Sequence, residues 1–409
     1  MKIQHLQRGP APLAKMLLLI LGITSFARGL LGVTVPPELI SAQLNAAELI
    51  ADLTLKSLNT IIDPSTHLKT IASAEVLKIH HIKSGESLKI RDEIEIEFPG
   101  GEINDRGVMF SGIPRPYNGI SYKAYLNHSG SESHHRYVVT GFEDGFKPIT
   151  QLRQHSRNRT DGSNGSGTGP FLYWDSRHFP IPYYISAPSF KNHPDYVTAI
   201  ENSFKTWRTY NDVLVEFLSF GCNQSTKNEN DSLNTIILLT DNWPFDSAAI
   251  AVTRNFYVAG TDADASAGMI LDSDILLNGK NFSFTTTGQT GSHDVQNILT
   301  HEIGHFLGFG HEIATVNEEA TMFASATTEE TQKRSLHAND IAVLRSAYSG
   351  VGKKFENENM HCEVSKNNVG CLSVHSNSFK TNSYWALLLY LVLTLGLGRW
   401  IVTRQFISK

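Results

Sequence analysis

Residues His301 to His311, with the sequence HEIGHFLGFGH, constrain this chain more than any other segment. His301 and His305 are spaced i and i+4, so in a helix they lie on one face about one turn apart and both can reach one zinc ion. Gly308 allows the chain to leave the helix with a positive φ angle, and the return brings His311 to the same ion as a third ligand. The motif therefore predicts a helix that ends at a metal site.

The same motif supplies the groups needed for hydrolysis. Three neutral nitrogen ligands leave a fourth position for water, and the ion lowers the pKa of that water toward about 7. Glu302 precedes the ligand face and can take the proton of this zinc-activated water as general base. The alternative is an ordinary buried helix with incidental histidines. The five specified residues of HExxHxxGxxH favour the metal site over that alternative.

Composition and charge narrow the class of protein. The length of 409 residues is enough for two or three domains, at about 150 residues each. Apolar residues make up 41%, which excludes wholesale disorder. Lys and Arg total 35 against 40 Asp and Glu, so the formal charge of -5 disfavours a nucleic-acid partner.

Both ends of the chain have the pattern of export or anchor segments. Basic residues precede the apolar run Met16 to Ile23, and small residues near Ala27 complete a secretory signal over residues 1–27. Residues 384–403 are mostly apolar and are followed by basic residues, which predicts a transmembrane or sorting segment with the preceding chain outside. A GPI signal fits less well because the chain ends in charged residues. The protein is therefore expected at the cell surface or in the extracellular space, anchored by a single C-terminal segment.

Two polar stretches divide the chain into domains. Residues 151–170 include the Gly- and Ser-rich sequence SRNRTDGSNGSGTGP and are predicted to be a linker, and residues 351–383 are predicted to be a stalk. These cuts leave an N-terminal domain over 36–150 and a catalytic domain over 171–350.

The three cysteines leave several pairings open. Cys362 and Cys371 can close a short loop in the stalk, which would leave Cys222 unpaired. A surface thiol and a disulfide to the stalk are the two other roles open to Cys222. The spacing does not decide among them.

The two domains differ in their apolar periodicity. Ile90 to Phe98 alternates apolar and charged residues, and similar short stretches predict five or six strands in a small all-β barrel or sandwich. The catalytic segment mixes periods and is predicted to be α+β. Its expected helices are Tyr196–Tyr210, Asp294–Leu307 with Ser292 as the cap, and Ala338–Tyr348; its expected strands include Leu214–Leu218, Thr235–Thr240, Ala249–Phe256 and Met269–Leu277.

The motif resembles that of the metzincin zinc endopeptidases, which combine it with a downstream methionine turn. Met322, in the sequence ATMF, suits that turn. The aromatic opening WDSRHFPIPYYI from Trp174 and the tail LHANDI from Leu336 are similar to matrixins, and the likeness over about 171–350 is to bacterial-type secreted members. Glu312 after the third histidine is an astacin-like feature, but Ala324 stands where astacins have a tyrosine.

The resemblance implies a fold and a substrate cleft. A metzincin catalytic domain has a twisted mixed sheet with an active-site helix, and its methionine lies beneath the zinc without binding it. The edge strand, placed around Met269 to Asp274, would pair with an extended peptide, while residues after Met322 would wall the pocket for the side chain after the cut.

A second metal is less well supported. No histidine lies between Asn255 and Asn278, where a matrixin carries ligands for a structural zinc. Calcium is possible there, with the candidate ligands Asp262, Asp264, Asp272 and Asp274, although turn carboxylates at a surface give the same pattern.

The expected function is a zinc-dependent endopeptidase acting on extracellular or envelope proteins, with protein or peptide substrates and a membrane partner through the C-terminal segment. The alternative is a catalytically inert metzincin-fold protein that serves in surface binding or adhesion. Metal storage or transport would require more ligand clusters than the chain contains.

Latency through a thiol is excluded, because no cysteine lies between Val33 and Pro170. Asp144 and Asp161 are the candidate carboxylates that could replace a thiolate on the metal. The N-terminal domain is predicted instead to be an accessory or folding domain, with the full ectodomain active without thiol chemistry.

Overall fold

The computed structural model describes most of the chain between Val35 and Leu372. The described ranges are 35–64, 67–130, 135–149, 172–208, 217–226, 230–260, 264, 266–312, 318–348, 361–364 and 369–372. The predicted signal peptide, the linker and the C-terminal apolar segment lie outside these ranges. Within them, no helix is both long enough and apolar enough to cross a membrane.

The N-terminal part forms a closed barrel. Strand β1 pairs with both β2 and β6, so the order β1-β2-β3-β7-β6 returns to β1, and β3 and β7 are its one parallel pair. This connectivity is that of an OB-type barrel. The β-rich domain is confirmed, and it is a barrel. Its elements are helix α1 (Pro37–Asn45) and strands β1 (Leu49–Asp63), β2 (His67–Ile82), β3 (Glu93–Pro99), β4 (Gly101–Ile103), β5 (Arg106–Phe110), β6 (Ser121–His128), β7 (Arg136–Val139) and β8 (Phe146–Pro148).

Alternation along the strands fills the barrel. Leu49, Ala51, Leu53 and Leu55 in β1 are buried while the residues between them are partly exposed, because successive side chains of a strand point to opposite faces. Matching residues on the other strands complete an apolar interior that ends at the stacked rings of Tyr122 and Phe146.

The catalytic segment is α+β, as predicted. Strands β10-β9-β11-β13 run parallel, and β12 is antiparallel to β13. Its elements are β9 (Ile181–Ser186), α2 (Ala187–Phe190), α3 (Pro194–Arg208), β10 (Phe217–Asn223), β11 (Thr235–Leu239), β12 (Ala251–Val258), β13 (Ile270–Asn278), β14 (Phe284–Thr285), β15 (His293–Asp294), α4 (Val295–Phe306) and α5 (Ala338–Tyr348), followed by β16 (His361–Val364) and β17 (Val369–Leu372).

The predicted cap of the active-site helix is wrong by two residues. The side chain of Asp294, rather than that of Ser292, accepts a hydrogen bond from the backbone N–H of Asn297 at 2.9 Å. Arg334 holds the same carboxylate from the other side. A carboxylate satisfies an orphan N–H of the first turn and also favours the positive end of the helix dipole.

The position predicted for the substrate-binding edge strand is also wrong. Strand β13, which contains most of Met269 to Asp274, lies between β11 and β12 and has no free edge. The last strand supplied by the catalytic segment is β12. Its outer side pairs antiparallel with β5 from the N-terminal half, so β4 and β5 extend the catalytic sheet to seven strands.

A glycine fits the hairpin β4–β5 against β12. Gly107 lies opposite Tyr257, and a Cβ atom at residue 107 would be 2.2 Å from Cζ of the tyrosine ring. The ring crosses β5 here, and its hydroxyl donates to Glu102 on β4 at 2.9 Å. A larger residue at 107 would have to displace the Tyr257 ring or the hairpin itself.

The barrel and the catalytic segment share an apolar core. An interface of this kind holds two domains in one arrangement, because separating them would expose apolar surface to water. Its buried members from the N-terminal half are Val35, Ile40, Leu68, Val108, Phe110 and Phe142, and those from the catalytic segment are Trp243, Ala248, Ala249, Val252, Phe256, Leu276 and Ala324.

The disulfide joins the catalytic sheet to the segment that follows it. Cys222 at the end of β10 is bonded to Cys362 in β16, with 5.0 Å between their Cα atoms. A loop closed by Cys362 and Cys371 is therefore not formed, although these residues lie opposite each other in the β16–β17 pair. Strand β16 packs against β10, which brings Cys222 close enough to compete. The stalk disulfide considered for Cys222 is thus the pairing found.

Candidate metal centre

The three motif histidines converge as predicted. His301 and His305 lie one turn apart on α4, and the chain reverses at Gly308, where φ is +88°. A Cβ atom at residue 308 would be 2.2 Å from the carbonyl oxygen of Leu172, so only glycine fits this turn. The turn returns His311, and the Nε2 atoms of the three rings lie 2.8 to 3.1 Å from one another.

Backbone carbonyls fix the tautomers of two ligands. Nδ1 of His301 lies 2.7 Å from the carbonyl oxygen of Thr321, and Nδ1 of His305 lies 2.7 Å from that of Phe309. Because a carbonyl only accepts, each Nδ1 carries the proton, and each Nε2 presents a lone pair in the neutral ring. These lone pairs converge without a proton between them, an arrangement that a shared cation stabilises. The donor set therefore fits zinc.

Burial keeps the three rings neutral. It lowers the pKa of His305 to about 4 and lowers the pKa values of His301 and His311 well below their ordinary value; the neighbouring imidazoles and the ammonium of Lys333 add to the shift in the latter two. Because a protonated imidazole has no lone pair for a metal, neutral rings are the form that can ligate.

Glu302 lies beside the ligands in a fully buried position. The hydroxyl of Thr253 on β12 donates to its carboxylate Oε2 at 2.6 Å and is 3.0 Å from its backbone carbonyl. Asn255, two residues along the strand, donates to the carbonyl of His305 at 3.0 Å. Strand β12 thus holds the active-site helix through two polar side chains, a role that its sequence did not reveal.

The methionine turn lies under the helix. A Cβ atom at Gly304 would be 2.1 Å from the sulfur of Met322, so the glycine allows the methionine to lie against α4. Asp340, at the start of α5, accepts hydrogen bonds from the backbone N–H groups of Thr321 at 2.9 Å and Met322 at 3.1 Å. Sequence reasoning placed Asp340 in the matrixin-like tail but did not assign it this role.

Aromatic residues hold the middle and the C-terminal end of the active-site helix. Trp207 donates to the carbonyl of Thr300 at 2.8 Å, and Trp174 donates to the carbonyl of Phe306 at 2.8 Å. The hydroxyl of Tyr348 donates to the carbonyl of Leu307 at 2.6 Å. The aromatic opening and the closing helix noted in the sequence therefore support the helix that carries the ligands.

The astacin-like Glu312 lies just past the third histidine. Its backbone N–H donates to the carbonyl of Met322 at 2.8 Å, and its carboxylate accepts from Asn339 at 3.3 Å. Burial raises the pKa of this carboxyl above its usual value. Glu312 therefore fastens the return of the chain to the methionine turn.

The three proposed calcium ligands that the structure describes do not form a common cluster. Asp272 and Asp274 are buried in β13 near the guanidinium of Arg254, whose Nη2 atom is 3.6 Å from Oδ2 of Asp274. Burial raises the pKa of both carboxyls. Asp264 is exposed, and Asp262 lies outside the described residues. A guanidinium therefore supplies the positive charge at the buried pair, and calcium stays a prediction.

Of the two candidate inhibitory carboxylates, the one that the structure describes is not at the metal centre. Asp144 forms an ion pair with Lys147 in the barrel. Asp161 lies outside the described residues. Among the residues that the structure describes, the group of close metal-ligating side chains consists of the three histidines alone.

Comparison with known proteins identifies the catalytic segment. The matrixin family model matches residues 173–349. A search of curated proteins found no match to the chain. Together with the histidine triad, the family match shows that the chain carries a matrixin-like metzincin domain, the fold of a zinc metallopeptidase.

Proposed function

We propose that residues 171–350 form a zinc-dependent endopeptidase in which Glu302 is the general base. The observation that carries the proposal is the convergence of three Nε2 atoms at the end of the helix that also carries the buried Glu302. A structural histidine cluster would not need a carboxylate at this position.

The residues of the chain have distinct roles in peptide hydrolysis. Zinc bound by His301, His305 and His311 supplies Lewis acidity for the peptide carbonyl and for water. Glu302 accepts the proton of the attacking water and returns it to the leaving amine nitrogen. Thr253 fixes the orientation of the carboxylate through its 2.6 Å hydrogen bond.

The compartment belongs to the same proposal. The signal over residues 1–27 and the apolar segment over 384–403 support export and a C-terminal anchor. The disulfide between Cys222 and Cys362 is typical of an oxidising compartment. The substrates are then proteins or peptides outside the cytoplasm, at the envelope or in the extracellular space.

One observation favours the alternative of an inert surface-binding protein. Glu302 is fully buried, and the outer edge of β12 is paired with β5. A site closed in every state would bind partners elsewhere and cleave nothing.

The test measures zinc content and the cleavage of casein, with and without a chelator. Both the natural chain and Gly107→Val, which is designed to displace the Tyr257 ring and so loosen β5 from β12, are assayed, so that a covered site is not mistaken for an inert one. We expect one zinc per chain and chelator-sensitive cleavage in at least the variant. Stoichiometric zinc without cleavage in either protein would support the inert alternative and reject the peptidase.

A further inference from the structure

Both sides of the expected substrate cleft are covered by the N-terminal half of the chain. The metzincin resemblance implies that a peptide lies between an edge strand and the segment after Met322. In the structure the edge strand β12 pairs with β5, and Ser325 in the segment after Met322 forms a parallel bridge with Val35.

Hydrogen bonds extend the pairing of β5 along β12 as far as Thr253, the residue that binds the carboxylate of Glu302. At one end, the N–H of Ala259 donates to the carbonyl of Asp105 at 3.0 Å. At the other end, the N–H of Ser111 donates to the carbonyl of Thr253 at 2.9 Å, and the N–H of Thr253 donates to the Ser111 hydroxyl at 3.0 Å. Thr253 in turn donates to Glu302, so this one residue of β12 lies between the end of the covering strand and the proposed general base.

Val35 covers the opposite wall. It is fully buried, and it lies in the shared core with Ala324, the neighbour of its bridge partner Ser325. Helix α1 follows it immediately, and Gln43 in this helix donates to the carboxylate of Asp246 at 2.8 Å. The segment before the barrel is thus fixed to the catalytic half by backbone, apolar and polar contacts.

The hairpin is locked by a small polar cluster. Glu102 on β4 accepts the hydroxyl of Tyr257 and pairs with the guanidinium of Arg115, which lies 5.7 Å from the centre of the Tyr257 ring. The ring fits over Gly107. These contacts join β4, β5 and β12, so they hold the hairpin against the catalytic sheet.

The described residues of the N-terminal half place no metal-ligating side chain beside the three histidines. No cysteine lies in residues 33–170, and within the described parts of the chain no fourth metal-ligating side chain joins the three histidines. A strand added to a sheet edge instead takes up the backbone donors and acceptors that an extended peptide would use.

We propose that the N-terminal half is a built-in inhibitor of the peptidase that blocks substrate by strand addition and leaves the metal position to water. The proposal rests on the proposed function, and it replaces the prediction of an accessory domain. Because the inhibitor is part of the same chain, its high effective concentration keeps it bound. The cleft opens when the hairpin β4–β5 leaves β12.

The experiment weakens the cover within the full chain and measures access as well as turnover. Gly107→Val displaces the Tyr257 ring, and Ser111→Pro removes the N–H that binds Thr253. Gly119→Asn is the control, because nothing lies within 4 Å of a Cβ at that position, and Asn tolerates its positive φ angle. Each protein is loaded with cobalt for spectroscopic titration with a peptidyl hydroxamate and with zinc for turnover of a short fluorogenic peptide.

We expect tighter hydroxamate binding and turnover at least about tenfold faster in the first two variants, the change that about 1.4 kcal/mol of lost contact would give. Hydrogen exchange at Ser111 and Ala259 should accelerate in Gly107→Val, while the pairs of β1 with β6 stay protected. Equal hydroxamate affinity in the natural chain and the opened variants would overturn the inhibitor, whatever the turnover. Opened variants that bind hydroxamate but cleave nothing would instead reject the proposed function and leave the cover in place.

Discussion

The barrel and the catalytic sheet solve the same problem, an open strand edge, in opposite ways. The barrel pairs β1 with β6, so its sheet closes on itself using strands of its own domain. The catalytic segment leaves β12 at the margin of its five strands and obtains its cover from β5, which lies far earlier in the chain. Open edges invite pairing with other chains, and closure or covering prevents it.

The two kinds of edge differ in whether they can be exposed while the domains stay folded. An edge that closes within one domain is permanent, because opening it would break the barrel. An edge covered by another domain can be exposed while both domains keep their cores. The metal centre lies beside the second kind of edge, so access to it can change without unfolding the protein.

The largest expected effect is a loss of peptide turnover that leaves the metal and the fold in place. Glu302→Gln in the Gly107→Val background should lower peptide turnover by about 10²- to 10⁴-fold, because an amide cannot accept the proton of the attacking water. Zinc content by metal analysis should stay the same, since Glu302 is not among the three proposed ligands. Full activity in this variant would remove Glu302 from the mechanism.

Removing a ligand should destabilise the catalytic half and spare the barrel. His305→Ala is expected to lose zinc, and with it about 4 kcal/mol of stabilisation when free zinc is about 1,000 times its Kd. Calorimetry with and without zinc measures this loss, and His80→Ala on the barrel is the control. Stoichiometric zinc in His305→Ala would refute the ligand assignment.

The shared core can be tested by comparing two phenylalanines. Phe110→Ala removes a ring that lies 2% exposed between the halves, and we expect a cost of about 3 kcal/mol and separate unfolding transitions for the two halves. Phe98→Ala, inside the barrel, should cost about as much but weaken the barrel first. If unfolding of Phe110→Ala stayed a single transition, the halves would be coupled by other contacts.

The smallest effect is a pH dependence confined to the barrel. Burial raises the pKa of Asp144 to about 6, whereas an unfolded aspartate has a pKa of about 3.9. The folded state therefore binds the proton more tightly, so this contribution to stability is full below about pH 4 and is lost as the pH rises through about 6, amounting to about 1–3 kcal/mol.

Asp144→Asn should flatten that dependence in urea unfolding between pH 4.5 and 7.5, and the exposed Asp241→Asn serves as control. A slope that persists in Asp144→Asn would assign the pH dependence to other groups.

Local patterns predicted the site more fully than the sheet around it. The spacing of His301, His305 and His311 and the periodicity of α5 are encoded within a few residues of each other, and the structure has both as expected. The bonds of β12 to Glu302 were missed, because a threonine in a strand carries no sign of what it faces. Asp340 had a signal in the matrixin-like tail, but its role depends on a turn folded elsewhere.

The pairings between distant segments could not be predicted from the sequence, for a physical reason. An edge strand is usually recognised by charged or polar residues on its exposed side. Strand β12 is almost entirely buried, as β13 is, because β5 covers it, so their sequences do not tell edge from interior. The sequence left the disulfide pairing open for a similar reason, since the packing of β16 on β10 decides which cysteine is near Cys362.

The position of β5 along the chain also sets the order in which the edge and its cover are made. Synthesis proceeds from the N-terminus, and domains generally fold as they emerge. The barrel and its hairpin can therefore fold before Ala251 to Val258 emerge. Strand β12 then meets a preformed template in its own chain, and this edge of the catalytic sheet has a native partner from the moment it forms.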